Sequence, residues 1–255
     1  MRHITDAVLV IVCVLTLLPT SASAATHPLG IAHRGSSANC AWTENTVHAF
    51  DRCATEADML EVDLRMSMDG RPVIIHDATL DRTTTAAGRV AERSFSRLRQ
   101  IPTADGVGRI PSLKVLANII SRSGRMVAID VKVYPGAKGW RILNSQLGPV
   151  RSHVILFSAR HNKYIAKAKA NGFAAAHYSW PDQPVPTVVQ VRRYGDYIWR
   201  GPLTDDQVAT FHGAGIRTIR RSNSPTAWER FARQRAWAVN TDRIDHYIRW
   251  RQGRR

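Results

Sequence analysis

The sequence predicts a closed (β/α)8 TIM barrel with a β-hairpin inserted after its second strand. Eight short runs rich in Val and Ile recur down the chain, separated by amphipathic stretches with turn residues between them. They fill roughly 230 residues, close to the size of an eightfold barrel, and no shift in composition marks a second domain. The alternation is broken by an Asp69-Gly70 turn with strand-forming residues on both sides. A doubly wound open sheet is the competing arrangement, but eight strands with intervening helices favour closure.

A targeting segment comes first. Residues 1–24 open with Arg2 and His3, run apolar from Ala7 to Leu18, break at Pro19 and end in Ala22-Ser23-Ala24, the small-x-small pattern of a signal-peptidase site. About twelve apolar residues are too few to cross the roughly 30 Å of hydrocarbon as a helix. There is no Arg-Arg pair to mark a twin-arginine signal. The expectation is a secretory signal peptide over 1–24, then a single domain over 25–255 that is secreted and carries no transmembrane segment. Cys13 leaves with the signal, and Cys40 and Cys53 could pair in an oxidising compartment. Against this, a helix starting near Glu44 would carry Cys53 about 12 Å along its axis, away from the Cys40 loop. The sequence leaves that disulfide open.

Strands are expected at 29–34, 59–65, 126–132, 153–158, 173–177, 196–200, 215–220 and 236–240. The helices between them are expected at 44–56, 112–121, 138–147, 161–170, 185–194, 204–212 and 225–235. Thr43 precedes Glu44, and Thr204 precedes Asp205-Asp206, as N-caps with acidic first turns. Gly172 and Gly215 fall just beyond helix ends, where a left-handed residue is wanted.

In such a barrel the chemistry belongs at the C-terminal ends of the strands. The first strand ends in His33-Arg34-Gly35, and the second carries Glu61 and Asp63, two carboxylates on one face. If the Asp69-Gly70 turn is a two-residue loop, Met68 pairs with Arg71 and Asp63 lies directly opposite His76. A slip of one residue would turn His76 to the other face. The third barrel strand ends in Asp130-Val131-Lys132, another pair sharing a face. Each piece alone is ordinary, since a strand Glu-x-Asp is usually solvated and Asp130 with Lys132 could be a simple ion pair. Their coincidence at three successive strand ends is not ordinary, because so many buried polar groups are costly unless something binds them together. Three carboxylates suit one hard divalent cation, Mg2+ or Ca2+. Two histidines suit a general acid and a general base. Arg34 and Lys132 suit a phosphoryl group.

These residues resemble the glycerophosphodiester phosphodiesterase family. The resemblance rests on Ile31-Ala32-His33-Arg34-Gly35, Glu44-Asn45-Thr46 with Ala49-Phe50, and Glu61-Val62-Asp63 with Asp69-Gly70. His76-Asp77-x-x-Leu80-Asp81-Arg82-Thr83-Thr84, Ile110-Pro111-Ser112-Leu113 and Thr241-Asp242-Arg243-Ile244-Asp245 extend it over nearly all the mature chain. It implies metal-dependent hydrolysis of glycerophosphodiesters to glycerol 3-phosphate and an alcohol. His33 and His76 would be the acid–base pair, Glu61, Asp63 and Asp130 the metal ligands, and Arg34 and Lys132 the phosphate contacts. Two departures stand out. Asp130 replaces the more usual Glu, as in the related sphingomyelinase and lysophospholipase D toxins, so phospholipase D-type cleavage of head groups is the alternative. Arg220-Arg221-Ser222-Asn223 stands where the family shows a Trp-Thr-Val-Asn-like strand end, which leaves the usual pocket-wall aromatic unaccounted for.

Composition narrows the classes. An apolar fraction of 44% excludes a disordered chain, and three cysteines exclude a disulfide scaffold. The formal net charge of +16 favours anionic partners: a small-molecule or lipid phosphodiester, or peripheral contact with an anionic envelope surface. A basic envelope- or nucleic-acid-binding protein is the rival outside the enzymes. No motif with groove geometry supports nucleic acid.

Overall fold

The computed structural model describes residues 27–253, so the expected signal over 1–24 lies outside the described residues. Eight parallel strands form the ring: β1 (Leu29–Ala32), β2 (Met59–Met66), β4 (Met126–Val131), β5 (Val154–Phe157), β6 (Ala174–Ser179), β7 (Tyr197–Arg200), β8 (Arg217–Arg221) and β9 (Ala238–Thr241). The ring closes because β1 pairs with both β2 and β9. The predicted barrel is therefore the observed fold, and the open sheet is excluded. The short strand β3 (Pro72–Ile74) lies antiparallel on the far end of β2, outside the ring.

The strict alternation along each strand places the site. Ile31, Met59, Ala128, Ile155, Ala176, Tyr197, Ile219 and Ala238, one from each ring strand, pack together inside the barrel. Further along the same faces, Met59 gives way to Glu61 and Asp63, and Ala128 to Asp130. Asp63 and Asp130 are register partners on adjacent strands. The floor is apolar and the mouth is acidic. The opposite faces, such as Leu60, Val62, Leu64, Val127, Ile129 and Val131, join the core under the helices.

Those helices are α1 (Val47–Arg52), α2 (Phe95–Leu98), α3 (Leu113–Ser123), α4 (Gly136–Leu147), α5 (Val188–Arg192), α6 (Asp205–Gly213), α7 (Pro225–Arg233) and α8 (Ile244–Gln252). Thr204 caps α6 as expected, in a capping box with Gln207, and Thr187 does the same for α5 with Gln190. Gly172 and Gly215 adopt the left-handed conformation expected of them. Two helix expectations fail for tertiary reasons. The first helix starts at Val47, capped by Thr46 and not Thr43, because Asn45 is held at φ 59° by two hydrogen bonds to Asp63. The helix expected over 161–170 is replaced by two 3-10 turns, Asn162–Ile165 and Lys169–Asn171. The Asn162 amide is committed to both backbone groups of Tyr178, which pins the segment to β6. The short α2 and the C-terminal α8 were not anticipated.

The hairpin register differs from the two-residue loop by one residue. Leu64 pairs with Ile74, Arg65 with Val73 and Met66 with Pro72. The Ser67 N–H donates to the Arg71 carbonyl, which leaves a three-residue loop, Met68-Asp69-Gly70, with Gly70 at φ 69°. A turn followed by a left-handed glycine is the next commonest hairpin solution. Ile75, not His76, therefore faces Asp63, and its N–H donates to the Asp63 carbonyl. Val73 and Ile75 enter a small separate core with Leu80, Val90, Leu98, Ile101 and Ile110. Cys40 and Cys53 are bonded, with Cα atoms 5.7 Å apart. Pairing is feasible because α1 is short and Cys53 is the first residue after it. No helix among the described residues is long and apolar enough to cross a membrane.

Candidate active site

All seven residues singled out by sequence gather at the mouth of the barrel. Glu61, Asp63 and Asp130 each offer an oxygen, and these oxygens lie within 4.8 Å of one another in a buried cluster. Lys132 bridges two of them, with Nζ 2.9 Å from Asp63 Oδ1 and 2.5 Å from Asp130 Oδ2. Burial pushes Glu61 well above the ordinary carboxylate range, and repulsion from Asp63 and Asp130 adds to it. Burial also raises Asp130. It would raise Asp63 too, but Lys132 and the Asn45 amide work against it, and that carboxyl lies below its usual value. Arg34 Nε adds a second cation 4.0 Å from Asp63 Oδ2, so three acids face two cations and the cluster stays short of positive charge.

The first strand delivers its end through a tight turn. Arg34 and Gly35 sit at φ 55° and φ 60°, and a Cβ on Gly35 would come within 2.1 Å of the Phe50 ring. Only glycine fits there. This turn aims the Arg34 N–H at Glu61 Oε2, 2.8 Å away, and leaves the guanidinium forked on Glu44 at 2.9 and 3.1 Å. The strained arginine backbone persists because these contacts over-determine it.

Each histidine is oriented by an aspartate. His33 Nδ1 lies 2.5 Å from Asp242 Oδ1, so Nε2 faces the cavity, 3.8 Å from Glu61. Burial lowers the His33 pKa, with Arg221 and Arg34 contributing, despite the opposing pull of Asp242. Asn223 donates to Asp242 and helps hold it in place. His76 Nδ1 lies 2.6 Å from Asp77 Oδ1, and its Nε2 is 3.0 Å from Arg34 Nη2. A guanidinium only donates, so Nε2 is the acceptor and the ring proton sits on Nδ1. His76 thus reaches the site even though the hairpin register is not the one expected. The chain leaves the ladder after Ile74, and Arg65 Nε clamps the His76 carbonyl at 2.7 Å. Arg82 closes a second ring of contacts by donating to both Asp77 and Glu44, which holds the Asp77 pKa down at about 2.

Sequence reasoning gave no role to Glu44, Asn45, Asp77, Arg82, Arg221 or Asp242. Most of them lie inside the strings that carried the family resemblance, so their positions were visible while their partnerships were not. The missing pocket wall is supplied from elsewhere. A cavity of about 310 Å³ is lined by His33, Arg34, His76 and Lys132 on one side and by Phe157, Tyr178, Trp180 and Trp199 on the other. Arg220 points away from the cavity, over the Phe231 ring of α7, while Arg221 lines it.

Comparison with known proteins decides the family, because residues 33–192 match the sequence profile described as the glycerophosphoryl diester phosphodiesterase family. The chain belongs to that family. A glycerophosphodiester phosphodiesterase of Caldanaerobacter subterraneus subsp. tengcongensis is 33% identical over 144 residues, covering 52% of this chain and 58% of the relative. Glycerophosphodiester phosphodiesterase 1 of Mus musculus is 35% identical over 111 residues, 40% of this chain and 33% of the relative. The aligned part thus spans little more than half the length of these curated relatives, or less. Solved glycerophosphodiester phosphodiesterase folds superpose over most of the chain. An Oleispira antarctica phosphodiesterase in complex with the product sn-glycerol-3-phosphate matches with a TM-score of 0.75 at 22% identity, covering 88% of this chain and 96% of that one. The Thermotoga maritima glycerophosphodiester phosphodiesterase matches with a TM-score of 0.70 at 21% identity, covering 88% and 98%.

Proposed function

We propose that the protein hydrolyses glycerophosphodiesters to glycerol 3-phosphate and an alcohol. The observation that carries this reading is the pair of aspartate-oriented histidines facing one cavity that also holds a buried three-carboxylate cluster, Arg34 and Lys132. Family membership supports it, and so does the product named for the Oleispira antarctica neighbour. The donor set fits a hard cation: all three candidate ligands are carboxylates, they are buried together, and Glu61 is pushed towards protonation by burial and by its acidic neighbours. Glu61, Asp63 and Asp130 would hold one Mg2+ or Ca2+, which when bound supplies Lewis-acid polarisation of the phosphoryl group.

The chain's own groups do the rest. Arg34 and Lys132 place positive charge against the other phosphoryl oxygens, where it counts most as negative charge grows in the transition state. One imidazole takes the proton of the attacking group, a glycerol hydroxyl or water, and the other protonates the leaving alkoxide. Their aspartates keep each ring in the tautomer that leaves Nε2 for this exchange. Asp130 kept phospholipase D-type head-group cleavage open as an alternative, and the family match does not favour it. We also propose secretion, which the 1–24 segment and the Cys40–Cys53 bond support, since disulfides persist in oxidising compartments. The +16 charge would suit peripheral contact with an anionic envelope.

The test is release of glycerol 3-phosphate from glycerophosphocholine and glycerophosphoglycerol with added Mg2+ or Ca2+. His33→Ala and His76→Ala should each lose about 10²–10⁴-fold in kcat while remaining folded. Full activity in either variant, or in excess chelator, would overturn the mechanism.

A further inference from the structure

The cavity beside the carboxylates has one wall made of rings. Phe157 and Trp199 are buried and stack with centroids 4.1 Å apart, and Tyr178 meets Trp180 edge-on at 5.1 Å. Trp180 is nearly half exposed yet fixed, because its Nε1 donates to the Ala159 carbonyl at 2.9 Å. Such a wall can hold either of two alcohols: a quaternary ammonium, drawn by the ring faces, or a polyol whose C–H faces lie flat on the rings.

The charges around the wall separate them. Arg160 follows Ala159, lines the same cavity, and pairs with no carboxylate among the described residues. Arg221, on the adjoining side, is matched by Asp242. The acids in the cavity, Glu61 and Asp130, belong to the cluster at its floor. Arg160, an exposed residue of the cavity lining, is therefore an uncompensated positive charge on the cavity that the rings wall. It repels a quaternary ammonium and presents up to five N–H donors to hydroxyl oxygens.

We propose that Arg160 sets the alcohol selectivity of this site: the aromatic chamber takes an uncharged, hydroxylated alcohol and disfavours a quaternary ammonium. The inference rests on the phosphodiesterase reading given above and narrows its substrate class. Trp180 is the platform and Arg160 the selector, and neither takes part in the proton transfers.

The experiment compares kcat/KM for glycerophosphoglycerol and glycerophosphocholine in the wild type, Arg160→Lys and Arg160→Glu. The wild type should prefer glycerophosphoglycerol by about fivefold, the scale set by one unit charge about 4 Å away in water-like surroundings, which the exposed Arg160 has. Arg160→Lys keeps the charge and should keep the preference. Arg160→Glu should shift the ratio by about tenfold or more towards glycerophosphocholine, mainly through KM. Hydrolysis of both diesters with a ratio that Arg160→Glu leaves unchanged would overturn this inference and spare the general activity. Hydrolysis of neither would overturn the phosphodiesterase reading and this inference with it.

Discussion

His33 shows what a single residue contributes and how it can be tested. Burial and the neighbouring Arg221 lower its pKa, while Asp242 raises it. A lowered value keeps the ring neutral, and able to accept a proton, to pH values below the ordinary imidazole range near 6.5. If neutral His33 is the base, the acidic limb of kcat/KM should therefore lie below pH 6.5. Asp242→Asn removes the group that raises the pKa, so the limb should move further down. The same change should cost about 10²–10⁴-fold in kcat by freeing the ring. A pH–rate profile of both proteins, with circular dichroism to confirm folding, checks this. At this scale the candidates were legible: Glu61, Asp63, Asp130 and Lys132 follow from the inward alternation of strand ends, while Arg34 beside His33 is brought in by the left-handed turn after β1. The orienting Asp242 was not legible, because it meets His33 only when the ring closes β9 against β1.

At the scale of elements, chain geometry competes with tertiary demands. The hairpin loop depends on Gly70 at φ 69°, where an added Cβ finds room against Lys138 but the backbone conformation is costly. Gly70→Ala should cost about 1–2 kcal/mol, read as a lower Tm. Strand β8 offers the opposite case. Arg220 is fully buried, and its three guanidinium nitrogens have no hydrogen-bond partner among the described residues. Burial lowers its pKa to about 10, with Arg230 and Arg200 adding to the effect. A base whose pKa falls on folding costs the folded state stability wherever it is charged, here at every pH below about 10. Arg220→Met should therefore raise stability by about 1–3 kcal/mol in thermal melts, without loss of activity. Element boundaries were legible where local caps decide them, as at Thr204. They failed where side chains from distant strands intervene: Asp63 sets the start of α1 through Asn45, and β6 captures the 161–170 segment through Asn162. The register of the hairpin was beyond the sequence, since Asp-Gly serves two- and three-residue loops alike.

The barrel as a whole joins stability to loading of the site. Without a cation, Glu61 has a raised pKa, so its contribution to stability is present at acid pH and lost as pH rises through the folded value. The chelator-treated protein should melt earlier at higher pH, and saturating Mg2+ or Ca2+ should raise its Tm and flatten that dependence. Melting curves read this independently of activity. The global fold was legible because eight alternating units leave few ways to bury both faces of every strand. The net charge was legible too, and its meaning changes: among the cations of this cavity, Arg34, Lys132 and Arg221 are matched by nearby acids while Arg160 is not.

Strand β2 is twice as long as several of its neighbours, and its far half carries the hairpin. Glu61 and Asp63 lie on the half built into the ring. Arg65 lies on the projecting half and grips the His76 carbonyl. Two of the three carboxylates and one of the two imidazoles are thus mounted on a single stiff beam. The position of His76 against these two carboxylates is therefore set through one strand and one clamp.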